Sequence, residues 1–370
     1  MSEAITSFIG LDIHKDSIAI AVADAGRDPP RFLGTTGAEL TTLCRALGRV
    51  SRAENTLVVY EAGPCGYGWA RHLKAHGWRC EIVAPAHIVR SPNEKRTKTD
   101  RRDALLLARQ SRAGDLVKVV APDERDEAIR DLTRARCDAL TARLRARHQL
   151  KAMLLRHGRA YRGKTSWTHA HERSLSAVSF AHEAQDIAFS EYRQSVKDAD
   201  ERVARITEAL RAQSGEWRMK PVVDALMCMR GFDLVAAVSF IAEIGDVTRF
   251  AHPRQLMSYL GLVPSEYSSG QTRRQGAITK AGNVHARRIL IEAAWNYRHG
   301  AKIGRSIEAR QQGQPKSVRD IAWRAQLRLS RRYRRLNFAR HLPQNKVCVA
   351  IARELTGFIW DLARQVHVSD

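Results

Sequence analysis

Four carboxylates in the first third of the chain, Asp12, Glu61, Asp100 and Asp103, have the types and spacing to hold divalent cations. Asp12 stands inside the apolar run IGLDIHKDSIAIAVAD. A buried, unpaired carboxylate is costly, so it calls for a partner, a metal or an opening to solvent. Asp100 and Asp103 are three residues apart in KRTKTDRRDALLLARQ, which puts both on one face of a helix. If that helix packs on the strand of Asp12, and Glu61 ends a neighbouring strand, four carboxylates converge. Two cations about 4 Å apart, bridged by carboxylates, are a standard device for in-line attack on a phosphodiester. Asp12 would be the shared ligand. Each acid also has a local reading: Asp12 as cap of the turn from Ile13 to Asp16, Glu61 as a strand end, and Asp100 with Asp103 as an N-cap and helix-dipole carboxylate. Their order along the chain, and Lys95, Arg96, Lys98, Arg101 and Arg102 around the acidic pair, favour the metal site.

The elements that must position these groups are legible in the hydrophobic pattern. Residues 5–24 read as two strands joined by a turn at Asp12–Asp16, 31–37 as a third strand, 41–50 as a helix, 56–63 as a strand ending at Glu61, 66–78 as a helix and 80–85 as a strand. This makes an α/β domain over residues 1–120. Helical periodicity then runs from Glu124 to His157, with Ile129, Leu132, Leu140, Leu144 and Met153–Leu155 as its apolar side, and again from Ser174 to Gln213. The polar segment between them reads as a hairpin loop, and the pair as a coiled-coil-like antiparallel arm of about 50 Å over residues 121–215. Residues 216–305 open with short helices whose helix–Gly–helix outline at Met229–Val235 resembles a degenerate helix-hairpin-helix. They continue into a loop dense in Ser, Gly and Arg between two apolar helices. Residues 306–370 form a basic helical extension.

The chain has 370 residues, room for two or three domains, and carries 62 Lys and Arg against 39 Asp and Glu, a net charge of +23. The basic residues recur along the whole chain, which points to a polyanionic partner, most often nucleic acid. Six dispersed cysteines without CxxC pairs argue against a zinc ribbon and a disulfide scaffold and fit a reducing cytosol. No signal peptide and no long apolar span is visible, so a soluble, cytoplasmic protein is expected.

Four stretches, GLDIHKDS, YEAGPCGYGWARHL, KTDRRDALLLAR and YLGLVPSEYSSGQTRRQGAITKAGNVHARRILIEAAW, resemble the successive motifs of DEDD transposases of the insertion-sequence 110/1111 family. The resemblance covers essentially the whole chain. It implies an N-terminal RuvC-like domain of RNase H fold, a coiled-coil connector and a mainly helical transposase domain. It also implies a structured non-coding bridge RNA that guides recombination between donor and target DNA, Mg²⁺ or Mn²⁺ as metal, and a bacterial cytosolic or nucleoid setting. The family's four acidic positions fall on Asp12, Glu61, Asp100 and Asp103. Its catalytic serine falls on Ser269, next to Gly270, with Ser265 and Ser268 nearby. A hydroxyl in such a loop can attack phosphorus in line and hold the strand as a phosphoserine ester. Lys98, Arg101, Arg102, Arg273, Arg274, Lys280, Arg287 and Arg288 are expected to meet nucleic acid. The resemblance further implies a homodimer or homotetramer with composite active sites.

A Holliday-junction-type endonuclease acting by metal-dependent hydrolysis is the alternative, and it would leave Ser269 dispensable. An actin-like kinase or ATPase fits less well, because His14 stands where that superfamily has a glycine and no phosphate-binding glycine loop follows. An RNA-binding protein without catalysis would leave the four acids unused. His14, His169, His171, His182 and His285 show no ligand spacing and read as surface or RNA-contacting residues. Tyr161 and Trp167 are placed to stack on RNA bases or to touch a neighbouring subunit, and Lys316–Arg340, with Trp323 and Tyr333, to lie on nucleic acid.

Overall fold

A computed structural model describes residues 4–85, 88, 89, 97, 99–267, 269, 272 and 274–366. The chain divides into two compact units, 1–123 and 124–370.

The first unit is built on a mixed sheet of six strands: β1 (Ser7–Ile13), β2 (Ser17–Asp24), β3 (Arg31–Gly37), β4 (Thr56–Glu61), β5 (Arg79–Val83) and β6 (Lys118–Val119). Their order is β3-β2-β1-β4-β5-β6. The first three strands form an antiparallel meander, β4 and β5 run parallel to β1, and β6 closes the edge antiparallel to β5. Strand alternation divides the side chains between two faces. Ile9, Leu11, Ile18, Ile20, Val22, Val58, Tyr60 and Ile82 pack with Leu43 and Leu47 of α1 (Leu40–Gly48) and Leu73 of α2 (Gly68–Ala75). Each such aliphatic side chain contributes about 1.5–3 kcal/mol when fully buried.

The opposite face is lined by small residues. Ala19, Ala21 and Ala23 of β2 meet Ala104 and Ala108 of α3 (Asp100–Ala113), and Val59 and Val83 meet Leu106 and Leu107. Gly10 lies on this face, and a Cβ there would stand 2.3 Å from the Ala104 carbonyl oxygen and 2.5 Å from the Ala108 nitrogen. The absence of a side chain on β1 therefore lets α3 rest directly on the strand that carries Asp12.

The second unit starts with two 33-residue helices, α4 (Glu124–Arg156) and α6 (Glu183–Gly215). Arg136 Nε donates to Thr207 Oγ1 at 2.7 Å and Arg147 Nη2 to Asp200 Oδ1 at 2.8 Å, so the partners run in opposite directions along the pair. The buried stripe of α4 passes through Ala139, Ala146, Leu150, Met153 and Leu154. Leu144 and Leu155, expected on the apolar side, are exposed. The second helical stretch also departs from its expected course. It is broken into α5 (His169–Ser176) and α6, because the Phe180 ring turns in against His157 and Phe189 while its amide donates to Asp186 Oδ1 at 3.0 Å.

The main core of this unit gathers α7 (Lys220–Met227), α8 (Leu234–Ile244), α9 (Pro253–Tyr259), α10 (Val284–Ala294), α11 (Arg305–Gln311), α12 (Lys316–Arg334) and α13 (Gln344–Ala363). Its interior holds Trp217, Phe232, Phe240, Tyr297, Tyr333 and the aliphatic faces of α12 and α13, together with Ile129 and Leu210 from the ends of the long helices. Between α9 and α10, where the sequence suggests a loop, the chain forms a hairpin of β7 (Pro264–Glu266) and β8 (Gln275–Ile278). None of the described helices is long and apolar enough to cross a membrane.

Candidate active site

β1 ends at Ile13, and its last inward-turning acid is Asp12, whose side chain is 19% exposed. Leu11 is opposite Tyr60 in the parallel β1–β4 register, so Glu61, the last residue of β4, falls in the row of Asp12. Asp12 shares the parity of Gly10, and Glu61 that of Val59, which packs on α3, so both point to the side of the sheet that α3 covers. Helix α3 starts where Thr99, in extended conformation, accepts a hydrogen bond from the Arg102 amide at 3.3 Å. The N-cap is thus Thr99, and Asp100 and Asp103 occupy the first turn, where the helix dipole favours negative charge. Asp103 is buried and Asp100 exposed.

His14 joins the acids. Its Nε2 lies 3.3 Å from Asp12 Oδ2 and 3.4 Å from Asp100 Oδ1. One donor atom from each of Asp12, His14 and Asp100 falls within 4.8 Å of the others. Burial, helped by the charges of Asp103 and Asp100 and opposed by His14, holds the Asp12 carboxyl above its ordinary range. Asp12 Oδ2 is shut off from solvent and accepts no hydrogen bond of regular geometry. A buried carboxylate oxygen whose one near partner is an imidazole nitrogen at 3.3 Å, among like charges, is the kind of group that a divalent cation satisfies. The residues therefore fit a metal. Cys65, from the turn after β4, donates its thiol to the Ile13 carbonyl at 3.2 Å, and burial with the nearby Asp12 charge pushes that thiol up, away from nucleophilic thiolate.

Asp12, Asp100 and Asp103 are thus brought together at the end of β1, with Glu61 in the adjoining strand. His14 is the member that sequence reading passed over. Its signal was its place two residues after Asp12, at the start of the turn that follows β1.

Ser269 belongs to the second unit, at the exposed tip of the β7–β8 hairpin. Its amide donates to the Thr272 carbonyl at 3.2 Å, and the Thr272 amide donates back at 3.0 Å. Lys98 and Arg273 lie outside the described residues, as do Lys95, Arg96, Ser268 and Gly270. Arg274 and Lys280 are exposed. Arg101 is exposed and its guanidinium stands over the Phe32 ring, while Arg102 donates to the Thr97 carbonyl at 3.0 Å.

One expected nucleic-acid contact needs correction, and several others also have partners within the chain. Arg287 is buried and donates to the carbonyls of Leu260 and Ala281 at 3.0 and 3.1 Å, so it fastens the base of the hairpin. Arg288 turns toward Cys137, at 3.3 Å, and toward Glu292. Trp167 and Tyr161 place their edges against the buried His171, each with ring centroids 4.9 Å apart, and Arg147 covers Trp167. Those rings and His171 are used within the chain. Tyr333 is buried, and Arg328 and Arg332 pair with Glu354.

The carboxylate of Glu243 ties the hairpin's exit to the long helices. It accepts from Arg134 Nε at 2.8 Å and Asn283 Nδ2 at 2.6 Å, while Asn283 Oδ1 accepts from the Ala286 amide and caps α10.

Comparison with known proteins gives the frame for this geometry. A DEDD transposase model of the IS110 type matches residues 9–158, and the model described as Transposase IS116/IS110/IS902 family matches residues 223–306. The chain is 45% identical over 363 residues to "Putative transposase y4qE" of Sinorhizobium fredii, an alignment that spans 98% of this chain and 89% of that protein. The chain belongs to the IS110 family of transposases. It is 30% identical to the transposase for insertion sequence element IS1533 of Leptospira borgpetersenii, over 89% of this chain and 96% of that one. It is also 25% identical to the transposase for IS1111A of Coxiella burnetii, over 82% and 77% of the two chains. Transposases are enzymes that act on DNA, and the DEDD group implies use of a divalent metal. The four acids fall in the first matched stretch of this IS110-family transposase and Ser269 in the second.

Proposed function

We propose that this transposase cuts and exchanges DNA strands through a serine nucleophile, Ser269, working with a cation held by Asp12, Glu61, Asp100 and Asp103. The observation that carries the reading is the convergence of Asp12, Asp100 and Asp103, with Asp12 Oδ2 buried among them, at the end of the strand beside Glu61. The strand order, with a central β1 flanked by an antiparallel meander and two parallel strands, supports an RNase H-type arrangement for the acids. When bound, the cation supplies positive charge that offsets the phosphate and the attacking oxygen. The serine oxygen bonds to phosphorus as the bond to a deoxyribose oxygen breaks, and the strand is kept as a phosphoserine ester. A hydroxyl of the incoming strand then attacks that phosphorus and releases the serine. The bond count is conserved, so no nucleotide cofactor is required.

The exposed hairpin tip, with Arg274 and Lys280 exposed near it, suits a group that must approach a phosphate. The net charge of +23 supports two polyanionic partners, the DNA and a structured guide RNA from the region beside the gene. Because the acids and Ser269 belong to separate units, the reading includes assembly of protomers into a dimer or tetramer with composite sites.

Labelled donor and target DNA, incubated with the protein, the flanking-region RNA and Mg²⁺, are expected to give joined product that needs the RNA and disappears with Asp12→Asn. Cleavage to free ends without RNA and without joining would overturn this reading and put the hydrolytic nuclease in its place.

A further inference from the structure

The histidine at the mouth of the acidic cluster has no part in the four-carboxylate account. Its backbone is fixed at the β1–β2 turn by an amide that donates to the Ser17 carbonyl at 2.9 Å. From there the ring reaches back, 51% exposed, and places Nε2 3.3 Å from Asp12 Oδ2 and 3.4 Å from Asp100 Oδ1. Atoms bound to one ion at about 2.1 Å on adjacent octahedral positions stand about 3 Å apart. The two nitrogen-to-oxygen separations lie a few tenths of an ångström above that spacing, a gap that small side-chain rotations close. The carboxylate oxygen nearest the ring on Asp12 is the one that is shut off from solvent.

We propose that His14 is a nitrogen ligand of the cation held by Asp12 and Asp100, and that it gives the site a preference for manganese over magnesium. The proposal rests on the reading that these acids hold a cation. Magnesium keeps to oxygen donors and gives up water reluctantly, whereas manganese accepts imidazole more readily. A site of four carboxylates alone would have little reason to separate the two ions. With an imidazole in the ligand set it separates them.

The test uses the full chain and the metal ions alone, MnCl₂ and MgCl₂. Pulsed electron paramagnetic resonance of bound Mn²⁺ reports a directly coordinated imidazole nitrogen through its nuclear modulation, and calorimetric titration gives the affinity for each ion. The wild type is expected to show nitrogen modulation that vanishes in His14→Ala. That variant is expected to lose at least tenfold in Mn²⁺ affinity, the lower end of what losing even an outer-shell partner costs, while Mg²⁺ affinity changes much less. His14→Asp, which offers an oxygen, is expected to restore binding of both ions without the modulation. Tight Mn²⁺ binding with no nitrogen modulation, and with His14→Ala unchanged or tighter, would overturn the proposal and leave His14 as a counter-charge. Should Asp12→Asn bind both ions as well as wild type does, the acidic site itself falls, and the proposal falls with it. All three variants are checked for folding by circular dichroism.

Discussion

The end of β1 and the β7–β8 hairpin hold the two halves of the proposed chemistry, and they are built in opposite ways. Asp12 and Asp103 sit where α3 is pressed onto alanines and a glycine, on elements fixed by buried contacts on both faces of the sheet. Ser269 sits on an exposed two-stranded ribbon, fastened at its base, where Arg287 bonds two carbonyls and Gly282 approaches Tyr259. Groups that must share an ion within a few tenths of an ångström are placed on rigid elements, and a group that must travel to a phosphate is placed on a tip.

The largest effect that would break this contrast is on chemistry. Asp12→Asn is expected to lower strand cleavage by roughly 10³-fold or more, the scale of single groups that stabilise developing charge. Its melting temperature should hold or rise. The folded protein keeps the Asp12 carboxyl above its ordinary range, so the charged form works against folding above that value and its removal relieves the fold. A marked drop in melting temperature would show that the carboxylate is structural.

Two glycines sharpen the comparison next. Gly10→Ala puts a Cβ 2.3 Å from the Ala104 carbonyl, which should cost about 1–3 kcal/mol by overpacking and abolish metal binding by shifting α3. Gly282→Ala, at φ +76° and with its Cβ 1.9 Å from the Tyr259 carbonyl, should cost at least as much. It should leave metal binding intact while reducing strand exchange. Denaturant melts and calorimetric metal titrations on both variants decide whether the two regions fail independently.

A smaller effect is expected at Glu243. Burial pushes this carboxyl up, but hydrogen bonds from Arg134 and Asn283 outweigh it and leave the group below its ordinary range. Stability from this ionisation is therefore present above the unfolded carboxyl value and is lost as pH falls through the lower, folded value. Glu243→Gln should cost about 1–2 kcal/mol at pH 7, toward the lower end because Arg134 is partly exposed to solvent screening. The unfolding curves of wild type and variant should converge in acid. A gap that is independent of pH would remove the charge from the explanation.

Much of the acidic site was legible because its signals are local and periodic. An acid inside an apolar strand, an acid at a strand end and an acidic pair three apart at a helix start each follow from short-range pattern. His14 is equally local in sequence, but its place beside Asp12 and Asp100 depends on how the β1–β2 turn folds back and on where α3 begins. The hairpin was hidden for another reason. PSEYSSGQTRRQGAI has too little apolar alternation to announce a strand, and its pairing is set by how Gly282 and Arg287 hold its base. The fate of Arg287, Tyr161 and Trp167 depended on tertiary partners, the carbonyls of Leu260 and Ala281 and the ring of His171, that no local window contains.

Ser269→Ala should change stability least, by under about 0.5 kcal/mol, since the side chain is at an exposed tip. Its effect on chemistry is where the account is most exposed. The direct measurement is to trap the protein on labelled DNA with its RNA and Mg²⁺, digest the adduct, and locate the modified peptide by mass spectrometry. The account predicts a nucleotide on Ser269 and no adduct from Ser269→Ala. An adduct on another residue, or normal strand exchange by Ser269→Ala, would contradict it.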